Sequence, residues 1–221
     1  MAMREDVLKI GYAGTLMSYT PGSEKRSKWA AIKDWFWTYQ IPTANQYTRS
    51  GYFLIRGVER FKAKYPELAG RLQVELWGMV DGGNKRQAKE FGVDDIVDVQ
   101  GYFKKTESMT KIAGCDVLFL PLETGDDPLY IPGKIFDYIR KGKPVFIMGH
   151  RSDCTDILER AGLGILVDPF DAEAVADTLK ELVEGKKELG TRYTVDWEYV
   201  EKNFHFKNLT KQLIDVFEGL E

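Results

Sequence analysis

Ile131-Pro132-Gly133-Lys134-Ile135-Phe136-Asp137-Tyr138-Ile139-Arg140-Lys141-Gly142-Lys143-Pro144-Val145-Phe146-Ile147-Met148 reads as a loop, a short helix, a tight turn and a buried strand. Pro132 suits the first turn of a helix, where its missing N–H leaves no bond unmade. Ile135, Phe136 and Ile139 recur at helical spacing. Gly142 stops the helix, and Lys143-Pro144 blocks its continuation. The apolar run 145–148 is then the strand. Lys134 and Asp137 stand three apart, so they share one face of the helix's first turn. That turn's open N–H groups attract anions. A cation, a carboxylate and bare backbone donors together suit a phosphate joined to a sugar with free hydroxyls. Taken alone, Asp137 is also explained as a partner of the helix dipole.

Outward from this stretch, strands alternate with helices. Strands are expected at 7–13, 72–79, 96–99, 116–121, 145–148 and 164–168. The first ends at Gly14-Thr15, and the fourth is apolar through its middle, as a strand buried on both faces must be. Helices are expected at 51–65 (Phe53, Leu54, Val58 and Phe61 inward), 85–91, 106–113, 156–161 and 171–184. Residues 81–84 read as a turn. The tail, 195–220, gives one or two more helices, with Trp197, Phe204, Leu209, Leu213, Val216 and Phe217 as anchors. The order predicts a single α/β domain over 1–221, a Rossmann-like parallel sheet of about six strands with helices on both faces. Ligands of such sheets bind outside the carboxyl ends of the strands, near a switch in strand order. The loops at those ends are 14–15, 79–83, 101–103, 122–134 and 149–152.

Composition narrows the function. At 221 residues, 43% hydrophobic and 29% charged, the chain is long enough and apolar enough for one sizeable core. A formal net charge of −3 gives no basic field for nucleic acid. Cys115 and Cys154 sit in no metal-like cluster, and with only His150 and His205 a zinc site is not expected. No apolar run reaches membrane-spanning length, and residues 1–6 lack a signal-peptide core, so the expected location is the cytoplasm. There is no P-loop, no G-x-G-x-x-G after the first strand, no nucleophile elbow and no H-E-x-x-H. Nucleotide binding is favoured by the fold pattern, through a different fingerprint.

In order, these motifs resemble the C-terminal, donor-binding half of GT-B-fold glycosyltransferases of the large family-4 type. The matching pieces are the Gly14 loop, LQVELWGM (72–79), IVDVQGYF (96–103), IAGCDVLFLP (112–121), IPGKIFDYIRKGKPV (131–145) and GLGILVDPFD (162–171). The resemblance implies roles. Asp137 takes the place of the acid that accepts hydrogen bonds from the ribose hydroxyls of a nucleotide sugar. Lys134 and the backbone at Gly133 match positions near the diphosphate. Gly14 and Thr15 match the loop that lets backbone approach the phosphates or donor sugar. Tyr102 and Phe103 lie where the base is held. Structural readings stand beside these: Gly14 shaping a turn, Tyr102 and Phe103 belonging to the core. The implied activity is retaining transfer from a UDP- or GDP-sugar, with neither cofactor nor metal, to an acceptor bound by an N-terminal domain that is missing or a separate chain.

Departures from the pattern point elsewhere. The family's Glu-x7-Glu pair is incomplete, because Leu129 stands eight residues before Asp137. Glu123, Asp126 and Asp127 are candidates to replace the first acid, and no catalytic residue is assigned. The family's cations after the first strand are also missing at their usual place, with Lys25, Arg26 and Arg56 as loose candidates. A non-catalytic nucleotide-sugar-binding or partner subunit is therefore the alternative function. A non-hydrolysing epimerase is a more distant one. The segment 16–49 is an insertion rich in aromatic and basic residues. Within it, 27–41 reads as an amphipathic helix that packs on the domain, docks on the acceptor domain, or lies peripherally at the inner face of the membrane.

Overall fold

The computed structural model describes residues 6–22, 46–79, 82–124 and 131–219. Six strands form one parallel sheet: β1 (Leu8–Ala13), β2 (Leu72–Trp77), β3 (Val97–Val99), β4 (Val117–Pro121), β5 (Val145–Met148) and β6 (Gly164–Val167). Their order is β3-β2-β1-β4-β5-β6. Leu8 lies opposite Leu72, Ile10 opposite both Val74 and Val117, and Leu118 opposite Val145. The chain runs outward from β1 to β3, then crosses back to place β4 on the other side of β1. That reversal opens a crevice at the carboxyl ends of β1 and β4.

Helices cover both faces, as the alternation predicts. They are α1 (Tyr52–Lys64), α2 (Gly82–Glu90), α3 (Lys105–Ala113), α4 (Lys134–Lys141), α5 (Asp153–Arg160), α6 (Ala172–Glu184), α7 (Leu189–Arg192), α8 (Trp197–Phe204) and α9 (Phe206–Glu218). Every residue of β4 is buried. Val117 and Phe119 join a core under α1 and α6, with Leu54, Val58, Phe61, Val175 and Leu179. Leu118 and Leu120 join the opposite layer, with Ile112, Ile135, Tyr138 and Leu158. Strand period and two-sided burial account for the run of apolar residues. The α1–α6 crossing depends on Gly57, where a Cβ would meet Val175 Cγ1 at 2.0 Å.

Four local expectations are corrected. Residues 82–84 are the first turn of α2, not a loop. Asn84 is buried there because its amide joins two other segments: Nδ2 donates to Leu16 O (3.2 Å) and Oδ1 accepts from Gly51 N–H (3.1 Å). Gln87 Nε2 likewise donates to Tyr19 O. The α5 helix starts three residues early, at Asp153, because Ser152 N–H is capped by Thr155 Oγ1 at 2.9 Å. Pro132 precedes α4, whose N-cap is Gly133, and Ile135 N–H reaches Pro132 O at 3.0 Å. In the tail, Phe204 packs on Phe136 with ring centroids 5.4 Å apart, but the other five expected anchors are exposed. The α9 helix packs beside α8 and turns its apolar stripe outward.

The two described flanks of the insertion lie side by side, with Met17 bridged to Ser50. Tyr19 stacks on Tyr47 and Phe53 at 5.0 and 5.4 Å. The expected helix at 27–41 and the candidates Asp126 and Asp127 lie outside the described residues. Among the described residues no helix is long and apolar enough to cross a membrane.

Candidate functional site

A cleft of about 410 Å³ opens at the carboxyl ends of β1 and β2, beside the amino end of α4. Gly14, Thr15, Tyr102, Phe103, Lys134 and Asp137 line it. Gly133 caps α4 next to this wall without being part of it. Ala13, Gly78, Met79, Ser108, Met109, Ile112 and Tyr138 complete the lining. Residues from five separate stretches of sequence thus meet in one concavity.

The floor is backbone held at close quarters. Gly14 N–H donates to Trp77 O (2.9 Å), and Leu16 N–H to Met79 O (3.1 Å), so the loops after β1 and β2 run as a pair. Gly78 lies so close that a Cβ would fall 2.3 Å from Gly14 O, and its φ of +114° also excludes most side chains. A Cβ on Gly14 would meet Lys134 Nζ at 2.1 Å. Gly78 is therefore required by contact with backbone, whereas a side chain at Gly14 would displace the end of Lys134.

Lys134 reaches across this floor. Its Nζ donates to Ala13 O at 2.7 Å and lies 4.6 Å from the centre of the Tyr12 ring. Tyr12 OH in turn donates to Thr15 O at 2.8 Å, so one tyrosine braces both the loop and the cation. Burial, with the Arg49 guanidinium adding repulsion and the Asp137 carboxylate opposing both, pulls the Lys134 ammonium down to about 8 from 10.5. Tyr138 is fully buried, donates to Phe119 O at 3.2 Å, and is pushed well above the usual phenol range by that burial. At the other end, Phe103 is half-buried with the Lys111 ammonium 4.6 Å from its ring centre, while Tyr102 is 75% exposed on the rim.

The structure adds Arg49, which sequence reasoning passed over. Arg49 Nη1 donates to Glu123 Oε1 at 2.9 Å. The neighbouring Thr48 hydroxyl donates to Leu122 O (2.8 Å) and accepts from Thr124 N–H (3.0 Å). These bonds fasten the end of the insertion to the loop after β4 and set a second cation near Lys134. No sequence signal marks Arg49, because the insertion separates it from β1. Arg56 is on α1, paired with Glu59, and takes no part in the site. Lys25 and Arg26 lie outside the described residues. Glu123 is engaged with Arg49 and does not line the cleft. Among the described residues no group of three or more His, Cys, Asp or Glu is arranged to hold a metal.

The chemistry on offer is that of an anion-and-diol site: one cation in the wall with a second, Arg49, near enough to act on it, one carboxylate, exposed backbone at a helix start and an aromatic wall. No family model and no curated protein matches the sequence. Solved structures do. HepE of Anabaena, in complex with UDP, superposes with a TM-score of 0.61 at 15% identity, over 97% of this chain and 49% of that one. TarM of S. aureus gives 0.57 at 14%, over 96% and 36%, and the trehalose-6-phosphate synthase OtsA gives 0.55 at 14%, over 86% and 39%. The chain spans about half the length of HepE. Its fold is one half of a GT-B fold.

Proposed function

We propose that this chain is the donor-binding, C-terminal-type half of a retaining glycosyltransferase related to family 4. It takes a UDP- or GDP-sugar and works with an N-terminal acceptor-binding domain, missing or on a separate chain. The observation that carries this reading is the pairing of Lys134 and Asp137 on the first turn of α4, inside the cleft at the β1/β4 reversal. Lys134 and Arg49 take the diphosphate, Asp137 the ribose hydroxyls, Phe103 and Tyr102 the base. Gly14, Thr15 and Gly133 bring backbone to the phosphates and donor sugar. HepE, which has this fold, is described in complex with UDP and with UDP-glucose, which supports the uridine form.

The mechanism follows from charge. When the bond from the sugar's anomeric carbon to the β-phosphate oxygen breaks, negative charge grows on the departing diphosphate. Preset cations in a partly buried cleft stabilise that charge more than they stabilise the ground state. The ordinary location of such a domain is the cytoplasm. Residues 27–41 are proposed as a peripheral membrane contact. Flotation with anionic vesicles is expected to carry the wild type, and to lose it when Trp29, Trp35 and Trp37 become Ser. Equal flotation of the two rejects that contact.

Calorimetric titration with UDP, GDP and ADP tests the main reading, and one diphosphate is expected to bind without added metal. Asp137→Ala is expected to weaken it by about 1.5–3 kcal/mol, the range for hydrogen bonds to a charged group. Unchanged affinity removes Asp137 from the ribose role. The missing acid at Leu129 favours a second reading, a non-catalytic nucleotide-sugar-binding or partner subunit. Nucleotide binding with no transfer after an acceptor domain is supplied would select it.

A further inference from the structure

A second cluster sits on the same carboxyl edge of the sheet, beyond β5 and β6, and the donor site does not use it. The chain leaves β6 through Asp168-Pro169-Phe170-Asp171. Asp168 Oδ1 accepts from Phe170 N–H (2.8 Å), and Asp168 O accepts from Asp171 N–H (3.2 Å). Pro169 adds a fixed φ, so the turn is stiff. The Phe170 ring is braced on several sides. It lies 5.4 Å from Phe53 at 84°, 6.3 Å from Tyr47 and 6.0 Å from His150. Half of it (50%) is nevertheless open to water. His150, just past β5, brings Nε2 to 3.8 Å from Asp168 Oδ1, and both side chains are about half exposed (51% and 53%).

A stiffly held ring face edged by a carboxylate and an imidazole has the chemistry of a saccharide platform. The C–H face of a pyranose is weakly positive and stacks on the negative face of an aromatic ring. The hydroxyls around its edge need acceptors and donors, which Asp168 and His150 provide. We propose that Phe170, Asp168 and His150 form a binding platform for a neutral pyranose ring, which, on the function proposed above, belongs to the acceptor saccharide. Its position agrees with that use. Tyr47, with its ring centre 6.3 Å from that of Phe170, stands two residues before Arg49, whose charge is felt at Lys134.

The test is saturation-transfer NMR on the full chain with the methyl pyranosides of glucose, galactose, mannose and N-acetylglucosamine. A concentration of about 20 mM suits millimolar affinity. Transfer to the ring C–H protons of at least one is expected. Phe170→Leu, which keeps the packing volume and removes the π face, should cut the signal about five-fold, the loss of one stacked contact. Asp168→Asn should also lower it, and Phe170→Trp should retain it. Absence of transfer to the wild type from all four, or equal transfer to Phe170→Leu, overturns the platform. Nucleotide calorimetry on the same samples separates the two sites. Phe170→Leu is expected to bind diphosphate as the wild type does, and Lys134→Ala to lose it while keeping the pyranoside signal. A chain that takes pyranosides but no nucleotide keeps the platform and refutes the donor reading.

Discussion

Burial sets the chemistry of Lys134 before any ligand arrives. Its ammonium is pulled down to about 8 from 10.5, so between those values the unfolded chain holds more protons than the folded one. Stability is therefore expected to rise with pH across that window as the cost of the buried charge disappears. Diphosphate binding has the opposite sign. An incoming phosphate favours the ammonium, so affinity should be highest below pH 8 and fall as pH rises through it. Calorimetry just above pH 8, in two buffers of different ionisation enthalpy, is expected to record proton uptake by the wild type and none by Lys134→Arg, whose guanidinium stays charged throughout. At this scale the sequence exposes residue types and spacing. Lys134 and Asp137 were legible because a helical turn places them together. Arg49 was not, because its place near Lys134 comes from the bonds of Thr48 to Leu122 and Thr124 and of Arg49 to Glu123, all in the loop after β4.

Elements were legible where one periodic pattern decided them. The α1 and α6 helices and the six strands follow from apolar spacing. The Asn84 segment misled because Gly-Gly-Asn reads as a turn, whereas burial and the two hydrogen bonds of Asn84 make it helix. Packing between elements is equally hidden. Gly57 looks like a weak point in α1, yet its missing side chain makes room for Val175 of α6. Gly57→Ala should gain about 0.5–1 kcal/mol of helix propensity and lose about 1–3 kcal/mol to overpacking against Val175. Net destabilisation is expected in urea unfolding, and Val175→Ala in the same chain should relieve the overpacking. Strict additivity of the two changes would refute the contact.

At the scale of the whole molecule, a large apolar surface stands out among the described residues. Along α9, Phe206, Leu209, Leu213, Ile214, Val216 and Phe217 are all at least 45% exposed, a stripe that soluble monomers rarely leave bare. Self-association at high concentration is expected in sedimentation velocity. A Leu209→Gln, Leu213→Gln, Phe217→Ser variant should shift the population toward monomer without loss of secondary structure. The stripe was correctly read as apolar and wrongly read as buried. Periodicity reports that a face is apolar and says nothing of what lies against it.

Strand and helix order, the buried fourth strand, the Gly-bounded helix at 134–141 and the pairing of Lys134 with Asp137 all followed from local pattern, because backbone periodicity and helix-end chemistry act over a few residues. Three things rested on tertiary structure. They are the meeting of the Gly14, Gly78, Phe103 and Lys134 stretches in one cleft, the placing of Arg49 near enough to act on Lys134, and the Phe170 cluster beyond β6. Each depends on the reversal of strand order at β1, which brings distant loops to one edge of the sheet through long-range hydrogen bonds and packing that no short window of sequence contains.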